Sequence, residues 1–211
     1  MFNSIYSKMH KPNTYSRTSP GKYSLWIDFE TTGADFGSGV TFEKYQGISF
    51  GAVIAENETF EPIETLYCEM QFDESKYQWT EGAEKIHGLS REHLAKNGMP
   101  RDEALALLLE LIAKYIGAQN KICIAGHNIS FDIGALNQLT SEFDLKLDLH
   151  HVQIETSQLA FVAIGKYRSD DVFPFFGGEV RGNHNALDDA LQSLAVARGI
   201  KQLVQAALGA E

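Results

Sequence analysis

The sequence predicts an α/β domain: an antiparallel three-stranded meander, then a crossover that adds further strands, with helices flanking the sheet. Three observations carry this. Apolar, partly β-branched runs bounded by turn residues occupy the first third of the chain. An apolar pattern of period 3.6 begins at Pro100, and a short apolar run at 121–126 leads at once into a second helical pattern.

Residues 1–21 carry Lys8, His10, Lys11 and Arg17 among serines and prolines with no apolar period, and read as a flexible basic tail ahead of a domain spanning 22–211. The run from Tyr23 to Glu30 ends in the turn residues Thr31, Thr32 and Gly33, which predicts the first strand. Residues 47–55 and 62–70 follow as two more strands, separated by a polar stretch long enough for a hairpin loop. After Pro100, Leu105, Leu108, Leu109, Ile112, Tyr115 and Ile116 fall on one face, with Asp102 and Glu103 in the first turn, so a helix is expected here. Residues 121–126 predict a short buried strand and 131–139 a helix starting near Asp132. The stretch 170–182, with Pro174, several glycines and Phe173, Phe175 and Phe176, reads as a loop whose aromatic rings suit stacking on bases. A last helix is expected from about Asn185 to Leu208, weakened or broken at Gly199.

Composition limits the function. Lys and Arg number 18 against 28 Asp and Glu, a formal charge of −10, which argues against sequence-independent duplex binding through a basic face. A short single strand entering a cleft needs only a few local cations, and bound metal ions can supply the rest. The two cysteines, Cys68 and Cys123, sit in apolar runs and signal neither a disulfide framework nor a zinc cluster. No run reaches the ~18 apolar residues of a membrane span, and the N-terminus lacks the apolar core of a signal peptide. A cytoplasmic protein with no membrane association is the expectation.

Three acidic clusters stand out. Asp28 and Glu30, two apart on the predicted first strand, point to one face, where two carboxylates repel unless something positive lies between them. Hard oxygen ligands of this kind suit Mg²⁺ or Mn²⁺. In the second cluster, Gly126 to Ile133, Asp132 falls in a first helical turn, where a carboxylate also serves as a cap. The third, Gly182 to Asp189, places His184 just ahead of a helix and Asp188 and Asp189 one turn inside it.

In this order the segments Asp-Phe-Glu-Thr-Thr-Gly (28–33), His-Asn-Ile-Ser-Phe-Asp (127–132) and His-Asn-Ala-Leu-Asp-Asp (184–189) resemble the three exonuclease motifs of the DnaQ-like, or DEDDh, superfamily. Ile86-His87-Gly88 resembles a further element that these proteins carry between the first two motifs. The resemblance implies a ribonuclease H-like fold, with a mixed five-stranded sheet flanked by helices, and a 3′→5′ exonuclease that releases 5′-mononucleotides. It also implies two divalent cations, Mg²⁺ or Mn²⁺, held by Asp28, Glu30, Asp132 and Asp189, with His184 as general base. A histidine of reference pKa near 6.5 suits that role at neutral pH. Family spacing selects Asp189, five residues after His184, although helical geometry also lets Asp188 face the histidine.

Thr31, Thr32, His87, Asn128 and Phe131 are the candidate substrate-binding residues; for the threonines, turn formation is the competing role, and for Phe131 a place in the core. His127 reads as a structural histidine, and His150 and His151 as surface residues. The expected partner is the 3′ end of single-stranded DNA or RNA; a polymerase partner and a homodimer are both compatible with the sequence. An inactive nucleic-acid-binding module on the same fold and a phosphodiesterase of very short oligonucleotides are the alternatives. Two departures from the family pattern are visible: there is no acid in the second strand, and Glu155-Thr156 stands where many members have Asp-Thr.

Overall fold

A computed structural model describes residues 20–34, 42–117, 120–178, 182 and 184–209. The basic segment 1–19 lies outside them. The sheet has five strands, β1 (Tyr23–Thr31), β2 (Gly47–Glu56), β3 (Pro62–Glu69), β4 (Ile124–Gly126) and β5 (Ile154–Glu155), in the order β3-β2-β1-β4-β5. β3, β2 and β1 form the antiparallel meander; β4 and β5 join parallel to β1. This is the mixed sheet of the ribonuclease H-like fold.

Among the described residues the helices are α1 (Glu81–His87), α2 (Arg91–Asn97), α3 (Arg101–Tyr115), α4 (Ile129–Ser141), α5 (Thr156–Ile164), α6 (Ser169–Phe175) and α7 (Ala186–Ala207). One face of the sheet, with Leu25, Ile27, Phe29, Phe50, Ala52 and Ile54, packs on Leu105, Leu108 and Ile112 of α3 and on Ala135, Leu136 and Leu139 of α4. On the opposite face Trp26, Val53 and Ala55 meet Ala190, Leu194 and Ala197 of α7. β1 and β2 therefore bury both faces, which is why they read as continuous apolar runs rather than alternating ones.

The expected strands and the α3 helix fall where the sequence places them, and α4 starts two residues before the predicted 131. Three readings change. Residues 169–175 are a helix, not a loop: Pro174 sits in its last turn, Phe173 is buried and Phe175 exposed. Phe176 packs across Gly199, whose hydrogen lies where a Cβ would come within 2.3 Å of the Phe176 ring. Gly199 therefore does not break α7; it provides the notch that seats that ring. His150, expected at the surface, is buried where Leu149 bridges to Ile122 ahead of β4: its N–H donates to Ile122 O and its Nδ1 accepts from Val152 N–H. No helix among the described residues is long and apolar enough to cross a membrane.

Candidate active site

The two β1 carboxylates set the position of the site. Asp28 and Glu30 share one face, while Phe29 between them turns into the core against Phe50. Gly51 and Ser49 of β2 stand opposite Asp28 and Glu30 in register, so only small side chains flank the acids. Gly51 has a further consequence: a Cβ there would lie 2.2 Å from both the N and the Cα of Leu187. The backbone at the start of α7 is thus laid directly on the sheet beside Asp28.

That contact delivers the third cluster. Asn185 caps α7, its Oδ1 accepting from the N–H groups of Leu187 and Asp188. Asp188 is exposed, whereas Asp189 is buried and lines the cleft with Glu30. His184 is tied down by its own N–H, which donates to Ile86 O of α1, and its Nδ1 lies 3.4 Å from Asp189 Oδ2. Donor atoms of Glu30, His184 and Asp189 all fall within 4.8 Å of one another.

Asp132 comes from the other side. β4 pairs with β1 only at Leu25 and Trp26, so the edge amides of β1 beyond that point lack a strand partner. Asp132 Oδ1 accepts the Phe29 N–H at 2.9 Å, which fastens α4 to β1 next to the two acids. Burial pushes the Asp132 carboxyl well above its ordinary range; the Glu30 and Glu155 charges push the same way and the Phe29 N–H opposes them.

Asn128, at the head of α4, has a left-handed backbone (φ 62) that turns its N–H toward Glu155. Glu155 accepts from Asn128 N–H and Ile129 N–H at 2.8 Å and from Ser157 N–H at 2.9 Å, so one carboxylate closes the N-termini of α4 and α5. Thr156 donates to Gly126 O. The Glu155-Thr156 departure from the family pattern thus supports the second motif from outside the cluster of acids. The role of Glu155 was missed by sequence reasoning, and only its departure from the pattern signals it.

His127 is held at both ring nitrogens, by Thr156 Oγ1 at 3.0 Å and Tyr167 O at 2.8 Å, in keeping with a structural histidine. His87 differs. Its Nδ1 accepts from Leu89 N–H, which leaves the proton on Nε2, and that atom is buried at the cleft wall beside the Thr31 backbone. Burial lowers its pKa and nearby His184 adds to this, against the raising effects of Glu84 and the Thr31 backbone, so the charged form of the ring is disfavoured.

Asp28, Glu30, Thr31, His87, Asn128, Phe131, Asp132, His184 and Asp189 all line one cleft of ≈ 390 Å³. Thr32 does not: it is fully buried, accepts from Gln46 N–H through Oγ1, and receives Thr80 on its carbonyl, so its work is turn formation. Phe131 is both packing and lining residue, set edge to face on Phe42. Ser169 of α6, not singled out in the sequence, and Phe173, read there as a loop aromatic suited to stacking, complete one wall. No lysine or arginine is among the described lining residues. A cluster of buried carboxylates without a cationic side chain fits hard divalent cations, and the oxygen-rich donor set is of the same kind.

Residues 25–197 match the RNase T family, described as exonuclease. No curated protein sequence matches significantly. Among solved structures, the nuclease domain of 3′hExo, a DEDDh family member bound to rAMP, superposes with a TM-score of 0.65 at 17% identity, over 87% of this chain and 92% of that one. A 3′-exonuclease that recognises the histone mRNA stem-loop gives 0.65 at 18%, over 87% and 82%. Exonuclease I of E. coli, in complex with a dT13 oligonucleotide, gives 0.68 at 19%, over 90% of this chain but 43% of that protein. With the motif-bearing segments inside the matched region, this chain belongs to the RNase T family of exonucleases.

Proposed function

We propose that the protein removes nucleotides one at a time from the 3′ end of single-stranded DNA or RNA, hydrolysing the phosphodiester bond with the help of two divalent cations. The observation that carries this is the convergence of Asp28, Glu30, Asp132 and Asp189 on one cleft that offers no lysine or arginine among its described residues. These four acids would hold Mg²⁺ or Mn²⁺. Bound there, the ions offset the charge of the phosphoryl group and favour both attack by water and departure of the 3′ oxygen.

The chain's own residues have separate tasks. His184 accepts the proton of the attacking water; with Nδ1 turned to Asp189 Oδ2, its Nε2 is the basic nitrogen and Asp189 fixes the ring's orientation. His87 Nε2–H donates to an oxygen of the terminal nucleotide. Asn128 and Phe131 form the opposite side of the pocket, with Phe131 against the terminal base, and Thr31 meets the sugar from the end of β1.

The test is digestion of matched single-stranded DNA, RNA and duplex, labelled at either end, with Mg²⁺, with Mn²⁺ and with chelator. Mononucleotide release from the 3′ end that needs metal and vanishes in Asp28→Ala is expected. His184→Ala should keep metal and substrate binding while turnover falls about 10²–10⁴-fold. Near-normal hydrolysis by that variant would sink the base assignment, and absence of release under every condition would turn the chain into a binding module.

A further inference from the structure

Several large apolar side chains stay exposed in one segment beside the cleft. Phe161, Val162, Tyr167 and Phe175 are 59%, 87%, 60% and 53% exposed. The Phe161 and Tyr167 rings meet edge to face at 6.3 Å, and Lys166 Nζ lies 6.0 Å from the Phe175 ring. α5 stops at Gly165, whose left-handed φ of 71 turns the chain into the short connection 166–168 ahead of α6. Packing does not call for these rings. α5 anchors itself through Ala160, and α6 through Val172 and Phe173, against Val196 and Ile200 of α7, while Thr156 is held by Gly126 O. Exposed apolar side chains grouped in one short segment that the fold does not bury mark a candidate binding place.

The segment is continuous with the cleft wall. The Tyr167 carbonyl accepts from His127 Nε2, the His127 ring stands edge to face on Phe173, and His127, Phe173 and Ser169 all line the cleft. Tyr167 is two residues from Ser169, so their Cα atoms lie within about 7 Å. Lys166 and Arg168 flank Tyr167 and are both exposed, in a chain of net charge −10 and beside a cleft without cationic lining residues among those described. Asp170 and Asp171 follow in the first turn of α6, where the helix dipole favours acids. Exposed rings next to two cations suit a strand whose bases are unstacked and whose phosphates are exposed. A duplex keeps its base faces covered and gains nothing from them.

We propose that Phe161, Tyr167 and Phe175, with Lys166 and Arg168, form a stacking platform for the nucleotides upstream of the 3′-terminal one. The platform rests on the single-strand reading of the cleft and deepens it. It prefers no base sequence, since every base presents a π face, and it makes affinity grow with strand length until the rings are filled.

The experiment compares a thymidine dinucleotide with a ten-nucleotide thymidine strand as substrates for the parent and for Phe161→Ser/Tyr167→Ser/Phe175→Ser, whose folding is checked by melting. The variant should hydrolyse the dinucleotide within about twofold of the parent, while its KM for the decamer rises tenfold or more. Lys166→Ala/Arg168→Ala should reduce the slope of log affinity against log salt by about 1.4, two phosphate contacts on a single strand. A parent-like KM for the decamer, or an equal loss on both lengths, overturns the platform while leaving the exonuclease reading intact. A parent that cleaves neither substrate defeats the exonuclease reading instead. The platform is then decided by anisotropy of a labelled decamer, where tenfold weaker binding by the triple variant supports it and unchanged binding refutes it. A change of oligomeric state in the triple variant with unchanged decamer KM makes the patch a self-association surface, which also overturns the proposal.

Discussion

Gly51→Ala is the most direct probe of how the fold places its carboxylates. The added methyl would stand 2.2 Å from the N and Cα of Leu187 and 2.4 Å from the carbonyl carbon of Ala186. Carbon atoms rest at about 3.5 Å or more, so roughly 1.3 Å of separation has to be found. The crowded atoms are backbone on both sides, so a rotamer change cannot supply it. The start of α7 must lift from β2, and Asp189 and His184 move away from Glu30 with it. A misplacement on the order of 1 Å costs about 10²-fold in rate, and overpacking of this kind costs about 1–3 kcal/mol of stability. The assay pairs single-turnover hydrolysis of a labelled oligonucleotide with thermal melting and a metal titration. Gly82→Ala, where a Cβ meets nothing within 4 Å, is the matched control and should be neutral or slightly stabilising. Parent-like turnover and metal affinity in Gly51→Ala would refute the claim that this backbone contact sets the geometry of the acids.

Two further perturbations test the charge arrangement and the scaffold. The Asp132 carboxyl is held above its ordinary value of 3.8, so its stabilising contribution is complete below that value and is lost as pH rises through the higher folded-state value. Metal-free Asp132→Asn should therefore melt higher than the parent at pH 7.5, with a smaller difference at pH 5, while Mn²⁺ should raise the melting temperature of the parent more than that of the variant; the same melting difference at both pH values would count against it. Arg101 forks onto Glu142 through Nε at 2.8 Å and Nη2 at 3.0 Å and donates from Nη1 to Gly47 O, with the pair largely shielded from solvent. Arg101→Ala should cost about 3 kcal/mol in urea unfolding, with activity per folded molecule kept, and a loss below about 1 kcal/mol would show the pair to be dispensable.

The sequence announces the elements whose physics is local. β1, β2 and α3 are long enough for their apolar runs or their 3.6 period to stand out, and the carboxylates sit at spacings that strand and helix geometry interprets directly. α1, α2 and α6 have seven residues each, too few for a period, and α5 buries only Thr156 and Ala160, so its pattern is faint. β5 is two residues long and exists because β4 is beside it. Phe173, Phe175 and Phe176 look alike in sequence, yet one is buried against His127, one is exposed and one fills the notch at Gly199. Their fates depend on what packs opposite, which no local pattern records. The preference for Asp189 over Asp188 becomes geometric only once α7 lies on the sheet and one of the two faces solvent.

Glu155 ties together two parts of the molecule that otherwise have little in common. Its strand makes only two register pairs with β4, so what holds the side chain in place is chiefly the pair of helix ends it closes. Those ends belong to the helix that carries Asp132 and to the helix that leads to Tyr167. Release of this single side chain would fray both at once. The segment that carries Asp132 and the segment that leads to Tyr167 thus depend on one shared acceptor.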